Sequence, residues 1–168
     1  HDKRYRIPVI MARSDSFFIR ATVPTTALLY NQVNIDLGSF VDALGKTVMR
    51  IHNASISYGS PLDPLGAPAG VNNCSAWQLT TQSQPALVGP GNRSTISSGK
   101  LSVISDGVLG IPAIITESLD IAPQEWTGGY LVAVESIFLG VDQLATDLVD
   151  EVTIVLECTV ETMTASAS

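Results

Sequence analysis

Val152-Thr153-Ile154-Val155-Leu156-Glu157-Cys158-Thr159-Val160-Glu161 alternates apolar with mostly polar side chains over ten residues. Successive side chains of a β-strand point to opposite faces, so this period of two sets one face toward a core and the other toward water. The stretch reads as one long strand, residues 149–162, with Val152, Ile154, Leu156, Cys158 and Val160 turned inward. The same period runs through Phe17-Phe18-Ile19-Arg20-Ala21-Thr22-Val23, where Pro24 stops it, and through Val33-Asn34-Ile35-Asp36-Leu37, where Gly38 ends it.

Working outward, eight strands are expected, at residues 16–23, 31–37, 46–58, 76–82, 100–105, 113–120, 130–139 and 149–162. In the third, the alternation slips near His52–Ala54, which predicts a bulge. Ser39-Phe40-Val41-Asp42-Ala43-Leu44-Gly45 offers a capping Ser, an Asp three residues on and a terminating Gly, so one or two helical turns are expected there. Residues 59–75 and 85–99 are rich in Pro, Gly and Ser and read as loops. Residues 140–148 read as a turn or a short helix. Short strands at this spacing with almost no helix point to an all-β fold: an eight-stranded antiparallel jelly-roll sandwich with one short helix between strands two and three. The expected organisation is an N-terminal arm, residues 1–15, and a single domain, residues 16–168. Within the arm, residues 4–12 could pair with a strand of this chain or of a neighbour.

Charge is unevenly distributed. Nine basic residues beside five acids give residues 1–100 a net +4, whereas the last 68 residues carry eleven acids and no base, −11. Opposite charge of this kind can meet across strands or between copies, or simply solvate a face. Only 15% of the 168 residues are charged, against about 25% in ordinary domains. With a mean hydropathy of +0.28, this favours burial of surface between subunits. A pI near 4.6 argues against nucleic-acid binding over the whole surface. No apolar run is long enough to span a bilayer, and no signal peptide opens the chain. It begins at His1 rather than Met, which leaves a processed or trimmed end open.

Candidate chemistry is sparse. His52 is the one non-terminal histidine, and no nucleophile-elbow sequence accompanies it, so it reads as a surface or core-edge residue. Cys74 and Cys158 have no metal-ligand spacing, and a bridge between them stays open. Asp142, Asp147, Asp150 and Glu151 match no EF-hand loop and are accounted for by a solvated turn. Glu135, Glu157 and Glu161 could share a sheet face, but nothing singles out a catalytic pair. Sequons occur at Asn53, Asn73 and Asn92, where chance alone gives about one in so Ser/Thr-rich a chain, and they are weak evidence for glycosylation. Trp77 reads as core, and Trp126, flanked by Pro and Gly, is the aromatic expected to stand exposed. No enzyme activity, small-molecule substrate, metal or cofactor is expected. The segment His1-Asp2-Lys3-Arg4-Tyr5-Arg6, with Arg13 and Arg20, makes a mildly basic arm that could touch anionic lipid, a nucleic acid or the acidic end of a neighbour.

With eight strands, a short helix in Ser39–Leu44, long Pro/Gly loops and this arm, the chain resembles a single jelly-roll viral capsid protein. It is similar in size to the small major capsid proteins of icosahedral, membrane-containing archaeal and bacterial viruses. The stretch Asp36-Leu37-Gly38-Ser39-Phe40-Val41-Asp42-Ala43-Leu44-Gly45-Lys46 looks like part of that pattern. The arm is weaker than those with which RNA viruses hold their genomes. The resemblance implies a structural, self-assembling protein of an icosahedral shell, located in the virion. Its partners would be other copies and other capsid proteins. Lys3, Arg4, Arg6, Ile7, Val9 and Ile10 would form the assembly arm, in reach of a viral membrane or genome. Two other classes stay open: an extracellular or cell-surface filament, pilus or surface-layer subunit built by strand exchange, and a carbohydrate-binding module presenting Trp126 or Tyr58.

Overall fold

The C-terminal alternation becomes a central strand of the first of two sheets. A computed structural model describes residues 11–42, 44–62, 65–66, 72–105, 112–117, 124–145 and 148–163. Its strands are β1 (Met11–Arg13), β2 (Phe17–Pro24), β3 (Asn31–Asp36), β4 (Thr47–Tyr58), β5 (Asn73–Thr80), β6 (Thr95–Ser105), β7 (Pro112–Glu117), β8 (Gln124–Val132), β9 (Ser136–Gln143) and β10 (Glu151–Met163). In the first sheet β10 lies between β4 and an edge shared by β1 and β2, and β8 flanks β4 on the far side. The second sheet runs β3-β9-β5-β6-β7. All of these strand pairs are antiparallel.

Without β1 and β7, eight strands remain, β2-β10-β4-β8 facing β3-β9-β5-β6. Within these eight, the chain changes sheet at every connection except β5 to β6. This is the jelly-roll order. The core forms where the inner faces meet. Val152, Ile154, Leu156 and Cys158 are wholly buried, with Met49, Ile51 and Val132 on the same sheet and Trp77, Leu79, Leu101, Val103, Ile137, Leu139 and Val141 opposite. Val160, expected among them, is only half-buried. The slip in β4 is a bulge at His52: Ile51 pairs Cys158 and Asn53 pairs Glu157, with His52 extra.

Three expectations need correction. Ser39–Leu44 is no helix among the described residues. Phe40 and Val41 N–H both donate to Leu37 O, at 2.8 and 2.9 Å, but Asp42 N–H turns away to Thr47 O at 3.0 Å, which ends the turn. Val41 is buried and Phe40 stacks on Phe17, so packing of two apolar side chains over the sandwich end decides this conformation. The single strand expected at 130–139 is two, β8 and β9, broken at residues 133–135 where the chain crosses between sheets. The strand expected at 113–120 is β7, an edge added beyond β6 rather than one of the eight. The cysteines are also settled: both are free.

Candidate assembly surfaces

The end of the segment expected as an arm is built into the first sheet. β1 continues the edge of β10 that β2 occupies, with Met11 opposite Met163 and Arg13 opposite Glu161. Between the two strands Ser14 closes the gap: its N–H donates to Val160 O, and Val160 N–H donates to Ser14 Oγ, both at 2.9 Å. An ion cluster fixes the junction. Arg13 Nη2 donates to Glu161 Oε2 at 3.1 Å, while Arg50 donates through Nε to the same oxygen and through Nη2 to Oε1. The Glu161 side chain is 0% exposed, against 21% for Arg50 and 55% for Arg13. Hydrogen bonds from Arg50 hold the Glu161 carboxyl below the usual carboxylate range although burial opposes them, and the same contact raises Arg50. Thus two basic residues from the N-terminal part of the chain meet an acid of its C-terminal segment within one fold.

β8 supplies the lid over Arg50. Tyr130 pairs Ile51 and Glu125 pairs Asn53, so residues 126–129 stand against His52 alone. This excursion turns back on Arg50, whose Nη1 donates to Gly128 O at 2.9 Å. Gly129 has φ 83°, and a Cβ there would fall on Cγ of Arg50, so only glycine lets the backbone lie this close. His52 shares a 2.8 Å hydrogen bond with Thr159 Oγ1 beside the cluster.

The outer face of the second sheet carries a different feature. Residue 140 is glycine, and the Tyr30 ring lies across it; a Cβ would coincide with the Tyr30 hydroxyl. Buried Gln78 donates to Tyr30 OH at 2.8 Å and to Ala86 O at 3.1 Å, and accepts from Val88 N–H at 2.7 Å. These bonds fold the loop between β5 and β6 back over the sheet. At the edge of this loop, which contributes Leu87, lies a groove of about 330 Å³, lined by Leu28, Cys74, Ala76, Leu87, Asp142, Gln143 and Leu144. Leu28 is 78% and Leu144 58% exposed. Leu28 has φ 61°, a left-handed conformation unfavourable for a leucine. Its surroundings impose it: Leu28 N–H donates to Gln143 O at 2.7 Å, Leu29 N–H to Thr26 O at 3.2 Å, and Asn31 Nδ2 to Pro24 O at 2.8 Å.

The residues singled out from sequence fall as follows. Lys3, Arg4, Arg6, Ile7, Val9 and Ile10 lie outside the described residues. Trp126 is half-buried, its ring 5.9 Å from that of Tyr130, and both pack against the core, as does Tyr58. Asp150 accepts from Ser60 N–H and Oγ–H, and Asp142 from Gln143 N–H, while Asp147 lies outside the described residues. Among the described residues no cluster of three or more His, Cys, Asp or Glu could hold a metal. Asn53 and Asn73 sit within strands, Asn73 buried, and Asn92 Oδ1 accepts from Ser94 N–H and Oγ–H. Sequence reasoning missed Arg50 and Leu28, and met Glu161 only as one of three acids that could share a sheet face. Glu161 occupies a polar place in the alternation, and only the register of β10 on β4 sets it beside Arg50.

No family model matches the chain, and no curated protein does. Solved structures do match it. One is an unassembled pentamer of Merkel cell polyomavirus VP1, 7% identical, with a TM-score of 0.46 over 94% of this chain and 96% of that one. Another is a chain from Desmodium yellow mottle tymovirus, 10% identical, with a TM-score of 0.38 over 100% of this chain and 96% of that one.

Proposed function

We propose that this chain is a capsid subunit that assembles with copies of itself, and with other capsid proteins, into an icosahedral virus shell. The observation that carries the reading is the jelly-roll strand order with the end of an N-terminal arm pinned along β10 by Arg13 and Glu161. Such an arm has a fixed point of departure, so Lys3, Arg4, Arg6, Ile7, Val9 and Ile10 reach a neighbour from a defined place. The low charge and the apolar groove supply surface for repeated contacts, which closed symmetry needs. The basic residues of the arm give it affinity for an anionic membrane or genome inside the virion. The role is structural and non-enzymatic.

Electron microscopy of the purified full-length chain, with light scattering against concentration, tests the reading. Closed shells of uniform size are expected. Deleting residues 1–10 spares β1 and the fold and should impair assembly. Raising salt until the Debye length falls below ~10 Å should weaken it wherever opposite charges meet between copies. Open filaments would instead place the chain among strand-exchange fibres, and monomers at every concentration would end the capsid reading.

A further inference from the structure

We infer that the groove formed by Leu28, Ala76, Leu87 and Leu144 receives the apolar arm segment Ile7-Pro8-Val9-Ile10 of a second copy of this chain. The inference rests on the assembly reading above and names the place where the arm lands.

Three observations lead there. The first is an uncovered apolar surface. The β5–β6 loop, held by Gln78, seals part of the outer face of the second sheet and stops short of Cys74 and Ala76. Among the described residues that line the groove, Asp142 is the only charged one. The second is strain. A leucine held at φ 61° with its side chain 78% exposed loses backbone energy and gains little burial within its own chain. Strain of this sort persists where the displayed side chain is used. The third is where the arm starts. β1 runs antiparallel to β10, so its N-terminal end points past Met163, away from Glu151. The groove lies at the opposite end: Pro24 pairs Glu151, and the turn that follows Pro24 brings Leu28 N–H to Gln143 O. β10 spans 13 residues between the two ends, about 40 Å at ~3.3 Å per residue. Ile7, the first residue of the apolar segment, lies four residues before Met11, and fully extended these reach no more than about 14 Å. The arm therefore cannot fill the groove of its own chain, and one copy's arm meets another copy's groove head to tail. Such a heterologous contact, repeated, builds rings or larger assemblies. The arm fits the site chemically, because Ile7, Val9 and Ile10 match the leucines and the preceding Lys3, Arg4 and Arg6 can face Asp142.

Cys74 on the groove floor makes the test direct. Full-length chain carrying Val9→Cys is assembled, mildly oxidised with copper-phenanthroline and run on a non-reducing gel, with linked peptides identified by mass spectrometry. Ile7→Cys, on the same side of an extended segment, is a second reporter. Covalent dimers and ladders joined through Cys74 are expected. They should vanish with Cys74→Ser and fall by about tenfold or more with Leu28→Asp, which tolerates the left-handed backbone but sets a charge in the apolar contact. Particles that assemble without a link to Cys74, or a link confined within single chains, would overturn the groove inference and leave the capsid reading standing. A parent chain that never associates would overturn both.

Discussion

Replacing Glu161 by Gln removes the charge that holds β1 to the first sheet. Glu161 is enclosed, and three arginine hydrogen bonds converge on its carboxylate. Gln keeps the shape but leaves one acceptor oxygen and turns an NH₂ donor toward a guanidinium donor. Removing one partner of a wholly buried ion pair costs about 3–5 kcal/mol, while exposed pairs contribute about 0–1 kcal/mol. Here Glu161 is buried, but Arg13 and in part Arg50 reach water, so the loss lies between, about 2 kcal/mol. For a chain of this length that lowers Tm by about 4–8 °C. The loss should concentrate in β1, so hydrogen exchange at residues 11–14 and at Val160 should quicken before the rest of the sheet opens. The pH dependence has a definite sign. The Glu161 carboxyl is held below its ordinary value, so its contribution is complete above the unfolded value of about 4.3 and is lost as pH falls through the folded one. Parent and variant melting temperatures should therefore converge as pH falls below the unfolded value and through the lower, folded one. Equal melting at pH 7, within about 1 °C, with unchanged exchange in β1, would refute the idea that this cluster anchors the arm.

Other substitutions test other parts of the fold. Gly140→Ala drives Tyr30 off the sheet and breaks its bond to Gln78; calorimetry should show a loss of about 2–3 kcal/mol, partly restored by adding Tyr30→Ala. Leu156→Asp sets an unpaired carboxylate in the core and should cost several kcal/mol, so a variant with the parent's Tm would disprove the register of β10. Burial pushes the Cys158 thiol up to about 12; the folded, unassembled chain at pH 8 should therefore react with a thiol reagent at Cys74 alone, and at both cysteines once denatured. His52→Gln should change stability only slightly, and a large loss of turnover on any substrate would contradict a purely structural role.

Local periodicity made much of the first sheet legible. The inward face of β10 and the bulge at His52 are properties of side-chain order along one strand, and both can be read before any partner is known. The β8–β9 break was not legible, because Leu131-Val132-Ala133-Val134 holds no Gly or Pro and the crossing is dictated by pairing with β4 on one side and β3 and β5 on the other. Gly128-Gly129 reads as a turn before a strand, yet lies inside β8. In Ser39–Leu44 Asp42 and Gly45 serve a turn instead of a helix: Asp42 N–H bonds to Thr47 O, Asp42 Oδ1 accepts from Leu44 N–H, and Gly45 takes φ 96°. The candidate surfaces were least legible. The enclosure of Glu161 depends on strand register, and nothing in Ala27-Leu28-Leu29 signals a left-handed leucine, because that conformation is imposed by Gln143 more than a hundred residues away.

The excursion of residues 126–129 bears on how safely this chain can be crowded. β8 borders the first sheet, and a straight border strand offers a ready template on which foreign strands can add and fibrils can grow. Here the ladder is interrupted midway by a glycine-kinked detour that spends a carbonyl on Arg50. An incoming strand finds no continuous row of donors and acceptors to copy. This edge is therefore guarded against foreign strands, and a deletion that straightens β8 should promote amyloid-like precipitation.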